Sequence, residues 1–326
     1  MRKPAGKGVR EIAAETGFNI STVSRALNNR PGVSAQAAAE IIRAARKIGW
    51  KNGKTTAYAV LLPGSRVALA WYTLNMLDAI RDEALRRGVL LEIFFADHAE
   101  LLRERAVDGI LSLDFSSQIV RKLSTVLPAV CLNDFSWRIG DIYSVCSNAG
   151  QGVRRAVSLL LSYGHRKIGM LVNGSRETES NRERAEAFET CIASCALDPA
   201  SSVQSRSVSP AGGGNPYLFG DMRRLVETGV TAVINCGESE SVEALTALRL
   251  CGLRVPQDIS LICWEVPRFS KYLEPPLTTV QQNFEVLARE AFDMLERLRR
   301  GEAVSSDVLV DCLLHERGSV AIPAHK

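Results

Sequence analysis

Short apolar runs alternate with amphipathic segments through most of this chain of 326 residues. Nine runs have the length of a buried strand, and they span residues 57–62, 89–95, 109–113, 128–132, 143–146, 168–172, 231–236, 259–264 and 308–314. Buried strands that alternate with helices predict parallel α/β sheets. Nine strands are many for a single sheet, so we expect two parallel-sheet α/β lobes.

The composition fits a globular protein, with 46% hydrophobic and 23% charged residues. No apolar run approaches the roughly 18 residues that a membrane-spanning helix needs. The first residues are basic, but no apolar segment follows them, so they do not resemble a secretory signal. We therefore expect a cytoplasmic protein with no membrane partner.

Cysteine and histidine give little support for a metal or redox site. The chain has eight cysteines and none forms a CxxC pair; Cys191 and Cys195, one helical turn apart, are the only close pair. The four histidines do not cluster in the sequence. We expect reduced, buried thiols, no metal and no cofactor.

The segment Val9–Asn28 differs from the body and reads as two short helices around a tight turn. Gly17 permits the chain reversal, and Asn19 is placed to cap the second helix. In that helix one face is predicted to be apolar, formed by Ile20, Val23, Ala26 and Leu27. A third helix, capped by Ser34 and ending near Ile48, would close a small all-α core.

The rest of the second helix presents short polar side chains and one arginine, namely Ser21, Thr22, Ser24, Arg25 and Asn28. Such a surface suits the major groove of DNA. The alternative is a small solvated helical hairpin, and the distribution of charge favours the DNA interpretation.

Residues 1–54 hold eleven basic and three acidic side chains, a net charge of +8. The whole chain is only +4, which leaves −4 for residues 55–326. This asymmetry predicts phosphate contact at one end of the molecule. Arg43, Arg46 and Lys47 are expected to be surface charges of the third helix, with some of them on phosphates.

At this point the residues resemble the LacI/GalR-type transcriptional regulators. The resemblance rests on Val9–Asn28 followed by Arg30–Ser34 (RPGVS), and on four motifs of the body in the same order. These are Val107–Ile110 (VDGI), Leu161–Ile168 (LSYGHRKI), Gly252–Ser260 (GLRVPQDIS) and Pro275–Val280 (PPLTTV). Each motif is weak alone, but the ordered set is specific and extends from about residue 8 to 314.

The resemblance implies a homodimeric repressor whose heads enter adjacent major grooves of double-stranded operator DNA. It implies a periplasmic-binding-protein-like body in which a sugar-like, sugar-acid-like or nucleobase-like metabolite binds between two lobes and alters operator affinity. The expected domains are a head (1–50), a linker (51–56) and an effector-binding body (57–326). The first lobe would comprise about 57–163 and 281–309, the second about 164–280 and 310–326, with the chain crossing near 163–166, 279–282 and 309–314.

The family's base-reading positions fall on Ile20, Ser21 and Arg25, with Thr22 and Asn28 suited to contacts with base edges or the DNA backbone. Arg25 could donate bidentately to a guanine.

The family's ligand positions fall on Arg184, Glu265 and the aromatic pair Trp71-Tyr72. Arg184 would donate to a carboxylate or to hydroxyls, Glu265 would accept from vicinal hydroxyls, and the aromatic pair would form a stacking wall. Simpler alternatives remain open. Arg184 could belong to a charged surface, Trp264 beside Glu265 could be core, and the aromatic pair could cover a sheet edge.

The chain also departs from the family. A hinge helix with a leucine that enters the minor groove usually follows the head, but here only residues 51–56 separate Trp50 from the first apolar run. Gly237-Glu238 stands where an Asn-Asp pair is expected. A regulator that has lost small-molecule sensing, and that answers to a protein partner or acts constitutively, therefore remains an alternative.

An enzyme, such as a sugar kinase joined to a DNA-binding head, has little support. The chain contains no GxxxxGK[ST], GxGxxG or HExxH motif, and we assign no catalytic residue. Gly150-Gln151-Gly152 at a helix start is too short a signal to predict an anion site.

Overall fold

The computed structural model describes residues 8–48, 50, 56–64, 71–113, 117–133, 142–173, 179–195, 197–198, 202–206, 218–237, 241–265 and 269–324. The chain divides into two compact units. The first contains Met1–Val67, Leu77–Val145 and Leu287–Val308, and the second contains Ala68–Met76, Cys146–Val286 and Leu309–Lys326.

The first unit begins with a three-helix head, α1 (Val9–Thr16), α2 (Ile20–Leu27) and α3 (Ala35–Lys47). Its core contains Ile12, Val23, Leu27 and Ile41. Both predicted caps are confirmed, because the side chains of Asn19 and Ser34 accept hydrogen bonds from backbone amides of their helices.

The rest of the first unit, called the first lobe below, is built around a six-stranded sheet. In chain order its elements are β1 (Ala57–Leu62), α4 (Trp71–Arg87), β2 (Leu90–Phe95), a 3₁₀ segment (Ala96–Glu104), β3 (Gly109–Ser112), α5 (Ser117–Ser124), β4 (Ala129–Leu132) and β5 (Tyr143–Asn148). The first residues of α4, up to Met76, and the last residues of β5, from Cys146, belong to the second unit. The strand order is β11-β5-β4-β3-β1-β2, with β11 spanning Asp307–Asp311. The pairs from β5 to β2 are parallel.

The second unit contains α6 (Ala149–Ser162), β6 (Ile168–Asn173), α7 (Glu179–Ser194), β7 (Ser202–Arg206), α8 (Leu218–Glu227), β8 (Ala232–Asn235), α9 (Ser241–Leu250), β9 (Ser260–Glu265), a 3₁₀ turn (Ser270–Tyr272), β10 (Thr278–Gln281) and β12 (Leu313–His315). The helix α10 (Phe284–Arg299) passes from this unit into the first. The sheet order is β12-β10-β9-β8-β6-β7, and only the β10–β12 pair is antiparallel.

The predicted fold class is therefore confirmed, since an all-α head precedes two parallel-sheet α/β units. Three details differ from the prediction. The strands β7 and β10 lie outside the nine apolar runs and were not predicted. The run 308–314 is two strands, of which β11 joins the first sheet and β12 the second.

The helix α6 packs in the second unit, whereas our prediction ended the first lobe after it, near residue 163. The change of unit falls at Val145/Cys146 instead. Close packing explains this position. A Cβ added to Gly152 would lie 2.8 Å from the Trp264 ring and 2.9 Å from Val280 Cγ1, so the backbone of α6 lies directly on the second sheet.

No helix within the described residues is long and apolar enough to cross a membrane.

Candidate functional site

One face of α2 is exposed while the other is fixed in the head core. Val23, Ala26 and Leu27 are buried. Ile20, which we predicted on the same apolar face, is 53% exposed, because it is the first residue of α2 and lies outside the core of the head.

The polar residues predicted to contact DNA are also accessible. Ser21, Arg25 and Asn28 are exposed and Thr22 is half-buried. The α2 face that carries Ile20 and Arg25 is thus free to enter a major groove.

The turn before α2 fixes the orientation of this face. Gly17 has φ +74°, a left-handed conformation that favours glycine, and it ends α1. The side chain of Asn19 then accepts from the Thr22 amide and from the Ser21 hydroxyl, both at 2.8 Å. These bonds satisfy a free amide at the helix start and hold Ser21 at the exposed N-terminal turn.

The three basic residues of α3 have different surroundings. Arg43 is exposed. Lys47 forms an exposed ion pair with Glu15 at 2.8 Å, and the hydrogen bond to that carboxylate raises the pKa of Lys47. Arg46, expected to be a surface charge, is half-buried against the first lobe, and burial lowers the pKa of its guanidinium.

In the second unit, Arg184 of α7 is 5% exposed, so the alternative of a charged surface does not describe it. Its guanidinium lies 4.3 Å from the ring centroid of Trp264. It also donates to the carbonyl of Cys236 at 3.3 Å and to the side chain of Asn181 at 3.4 Å. Arg184 therefore lies over the carboxyl ends of β8 and β9, the edge at which open α/β sheets bind ligands.

Two further polar groups are buried at this edge. The amide of Asn235, the last residue of β8, and the indole nitrogen of Trp264 are both buried, and neither has a hydrogen-bond partner among the described residues. Buried polar groups are normally satisfied, so such atoms at a ligand-binding edge point to a missing partner. Asn235 was not predicted as a site residue, although a polar residue that closes an apolar run is a signal for this position.

The predicted aromatic pair divides between two environments. Trp71 is exposed and makes an edge contact with Phe269, at a centroid distance of 5.9 Å. Tyr72 is buried and packs on Phe284 at 6.0 Å. The two rings therefore lie in different surroundings, and the stacking role of the pair stays a prediction.

Two predicted features lie outside the described residues, and for a third only the backbone is described. Glu265 ends β9, but its side chain is not described. Glu238 and linker residues 51–55 are likewise outside the description. In the parts of the chain that the structure covers, no three His, Cys, Asp or Glu side chains come together as a metal site would require.

Comparison with known proteins adds three findings. Residues 157–320 match the family model of the periplasmic binding protein-like domain. The HTH-type transcriptional repressor PurR of Haemophilus influenzae (strain PittEE) is 25% identical over 316 residues, which cover 89% of this chain and 90% of the relative. PurR of Edwardsiella ictaluri (strain 93-146) is 26% identical over 341 residues, with 96% of each protein covered.

Among solved structures, the lac repressor dimer bound to operator and the anti-inducer ONPF superposes with a TM-score of 0.67 at 22% identity, over 97% of this chain and 100% of that one. The complex of the transcriptional regulator CelR with cellobiose gives a TM-score of 0.66 at 22% identity, over 96% of this chain and 99% of that one. At this identity the superpositions show a common fold.

Proposed function

We propose that this chain, which belongs to the periplasmic binding protein-like family, is a LacI-type transcriptional regulator that represses transcription by binding operator DNA as a homodimer. In this proposal α2 of each head reads base edges in a major groove. A small metabolite in the body changes operator affinity because it binds one conformation of the body better than the other.

The observation that carries the DNA-binding proposal is the arrangement of α2. Its apolar face is buried in the head, and its opposite face presents Ser21 and Arg25 to solvent at the basic end of the chain. A capped helix with a polar outer face, in a segment (residues 1–54) of net charge +8, has the shape and the charge that groove binding requires.

The test is selection of bound fragments from genomic DNA, followed by footprinting. We expect protection of a two-fold symmetric sequence with half-sites about one helical turn apart. Uniform, sequence-independent protection at physiological salt would contradict the proposal.

For the effector we propose a sugar or sugar acid held in part by Arg184. Two supports combine: the buried guanidinium stacked on Trp264, and the unsatisfied amide of Asn235 at the same sheet edge. A guanidinium and an amide can together bind a carboxylate or neighbouring hydroxyls. The related CelR structure holds cellobiose, and a LacI-type protein of Alkaliphilus metalliredigens holds D-xylulofuranose.

Calorimetry with a panel of mono- and disaccharides, sugar acids and nucleobases tests the effector. The proposal predicts saturable binding of at least one compound and a change in the footprint when it is present. If no compound binds while the operator footprint is intact, the alternative regulator without small-molecule sensing is favoured. The proposal assigns the chain no catalytic step, and we place it in the cytoplasm, where the operator is.

A further inference from the structure

The head makes a specific contact with the first lobe of its own unit. The contact has two parts, one at the turn after α2 and one on the face of α3. Together they involve Asn29 and Arg46 of the head and Glu92, Leu102, Arg105 and Ala106 of the lobe, and we call this set the docking contact.

The first part is a pair of hydrogen bonds that uses both ends of the Asn29 amide. Its nitrogen donates to Glu92 Oε1 at 2.5 Å, and its oxygen accepts from the Ala106 amide at 3.1 Å. The other oxygen of Glu92 accepts from Arg105 Nε at 2.8 Å, which holds the carboxylate in place. Asn29 has φ +51°, a conformation that asparagine tolerates better than most residues, so the turn presents this amide directly after α2.

The second part is formed by α3. Arg46 donates to the backbone carbonyls of Leu102 at 3.3 Å and Arg105 at 3.1 Å, at the end of the 3₁₀ segment. Carbonyls at such an end lack partners within the helix, so a cation there satisfies them. Ile42, one turn before Arg46 on the same side of α3, is only 2% exposed although it is not in the head core.

We propose that the docking contact holds the head in its DNA-binding orientation, and that Asn29 and Arg46 are positioning residues for α2. The inference rests on the proposed DNA-binding function. The contact leaves the outer face of α2 uncovered, since Ile20, Ser21 and Arg25 remain exposed in the docked head. Docking is therefore compatible with groove binding and does not mask the DNA surface.

The physical benefit is that a docked head loses less orientational entropy when it binds DNA. A head on a short linker samples many orientations, and a dimer must bring two heads to two half-sites at once. A head fixed by side-chain hydrogen bonds raises the effective concentration of the second α2 at its half-site. It also links the orientation of α2 to β2 and the 3₁₀ segment, so any rearrangement of that edge changes operator affinity.

The first test distinguishes loss of the docking contact from loss of one positive charge on α3. Arg46→Gln and Arg43→Gln remove the same charge from the same helix, but only Arg46 is in the docking contact. We expect Arg46→Gln to weaken operator binding about tenfold with an unchanged salt slope, as for loss of a charged hydrogen bond. Arg43→Gln, if Arg43 contacts a phosphate, lowers the slope by about one. A slope lowered by about one in Arg46→Gln, or an unchanged affinity, overturns the proposal.

A second pair of variants distinguishes the docking contact from long-range electrostatics by the direction in which operator affinity changes. Glu92→Ala removes a negative charge, which by long-range electrostatics alone should strengthen DNA binding, but docking predicts a weakening of about tenfold. Glu100→Ala, at an exposed acid of the 3₁₀ segment, is the matched control and should bind as tightly as the parent or slightly more tightly. If Glu92→Ala strengthens binding as Glu100→Ala does, the proposal is wrong.

A third measurement needs no DNA. Asn29→Gly keeps the left-handed turn but removes the acceptor of the Ala106 amide. We expect residue-resolved hydrogen exchange of that amide to accelerate at least tenfold, while exchange in α1 and α3 is unchanged. Unaltered exchange at Ala106 overturns docking even if the protein binds DNA. Accelerated exchange in a protein that selects no DNA would instead refute the proposed function.

Discussion

His165 connects segments of the second unit that are far apart in sequence through one buried imidazole. It is 1% exposed. Its Nε2 lies 2.9 Å from the Ala321 carbonyl, and its Nδ1 lies 2.8 Å from the Thr231 hydroxyl. Ser260, whose hydroxyl lies 3.0 Å from Nε2, completes the group. Burial outweighs these bonds and lowers the pKa of His165, so the ring is neutral in the folded protein.

This lowered pKa predicts a pH-dependent stability. Between the folded-state pKa and the unfolded value of about 6.5, the unfolded chain binds one more proton, so the free energy of unfolding rises with pH. The contribution of the neutral ring is complete above pH ~6.5 and is lost as the pH falls below it, by at most about 1.4 kcal/mol per pH unit. Urea unfolding between pH 7.5 and 5 measures the loss. His165→Asn should flatten the profile, and parallel profiles for the two proteins would contradict this account.

Arg184 allows a direct comparison of a ligand role with a structural role. Arg184→Met keeps most of the side-chain volume but leaves the buried Cys236 carbonyl without this donor, so we expect the free energy of unfolding to fall by about 1–3 kcal/mol. The same substitution should lower the affinity for the effector about 10- to 100-fold, as expected for the loss of a charged hydrogen bond. Calorimetry and thermal melting measure the two effects. A large loss of stability with unchanged effector affinity would assign Arg184 to structure alone.

At the scale of secondary structure, α6 shows how a helix is fixed to a sheet by its smallest residues. Gly152 allows the backbone to approach Trp264 and Val280, and the side chain of Gln151 accepts from the Cys312 amide at 3.1 Å. The Gly-Gln-Gly sequence, which we considered as a weak anion signal, therefore has a packing role.

Gly152→Ala should destabilise the second unit by about 1–3 kcal/mol, because its Cβ would overlap core atoms of Trp264 and Val280 that cannot move freely. Gly220→Ala in α8 is the control, since an added Cβ there meets no atom within 4 Å. The control should be neutral or stabilising by up to about 1 kcal/mol, from helix propensity alone. Similar melting temperatures for both variants would refute the packing argument.

Periodicity was sufficient to predict most of these elements. The helices of the head, their caps and the buried strands β1, β3, β4, β6, β8 and β9 follow from local pattern and turn chemistry. Periodicity failed to predict the strands that depend on pairing with a segment far away in sequence. The strand β7 lies in a polar sequence and exists through its pairing with β6, while the run 308–314 divides because β5 and β10 take different parts of it.

The candidate site was predictable to a similar degree. Arg184 was found through the family resemblance, and its burial excludes the surface alternative. Asn29 and Arg46 were not assigned a lobe contact, because their partners at Glu92 and Arg105 are far away in sequence. No local sequence pattern predicts hydrogen bonds between residues so far apart.

For the whole molecule, the separation of charge determines how DNA binding should respond to salt. Residues 1–54, which comprise the head and most of the linker, carry +8 and the remainder carries −4, so we expect the phosphate contacts at that end of the chain. We expect the logarithm of operator affinity to fall with the logarithm of salt with a slope of about −5 or steeper for the dimer, at −0.9 per neutralised phosphate. Fluorescence anisotropy from 50 to 300 mM KCl measures it. A slope shallower than about −2 with retained specificity would argue against this account.

The central claim is that α2 reads bases, and Arg25 tests it most directly. The measurement is the affinity of the parent and of Arg25→Ala for the footprinted operator and for its single-base-pair variants, at one salt concentration. The account predicts that the substitution removes about 1–3 kcal/mol of discrimination at one G·C pair in each half-site and leaves discrimination elsewhere unchanged. Equal weakening on every sequence, with the salt slope reduced by about one, would make Arg25 a phosphate contact and contradict the claim.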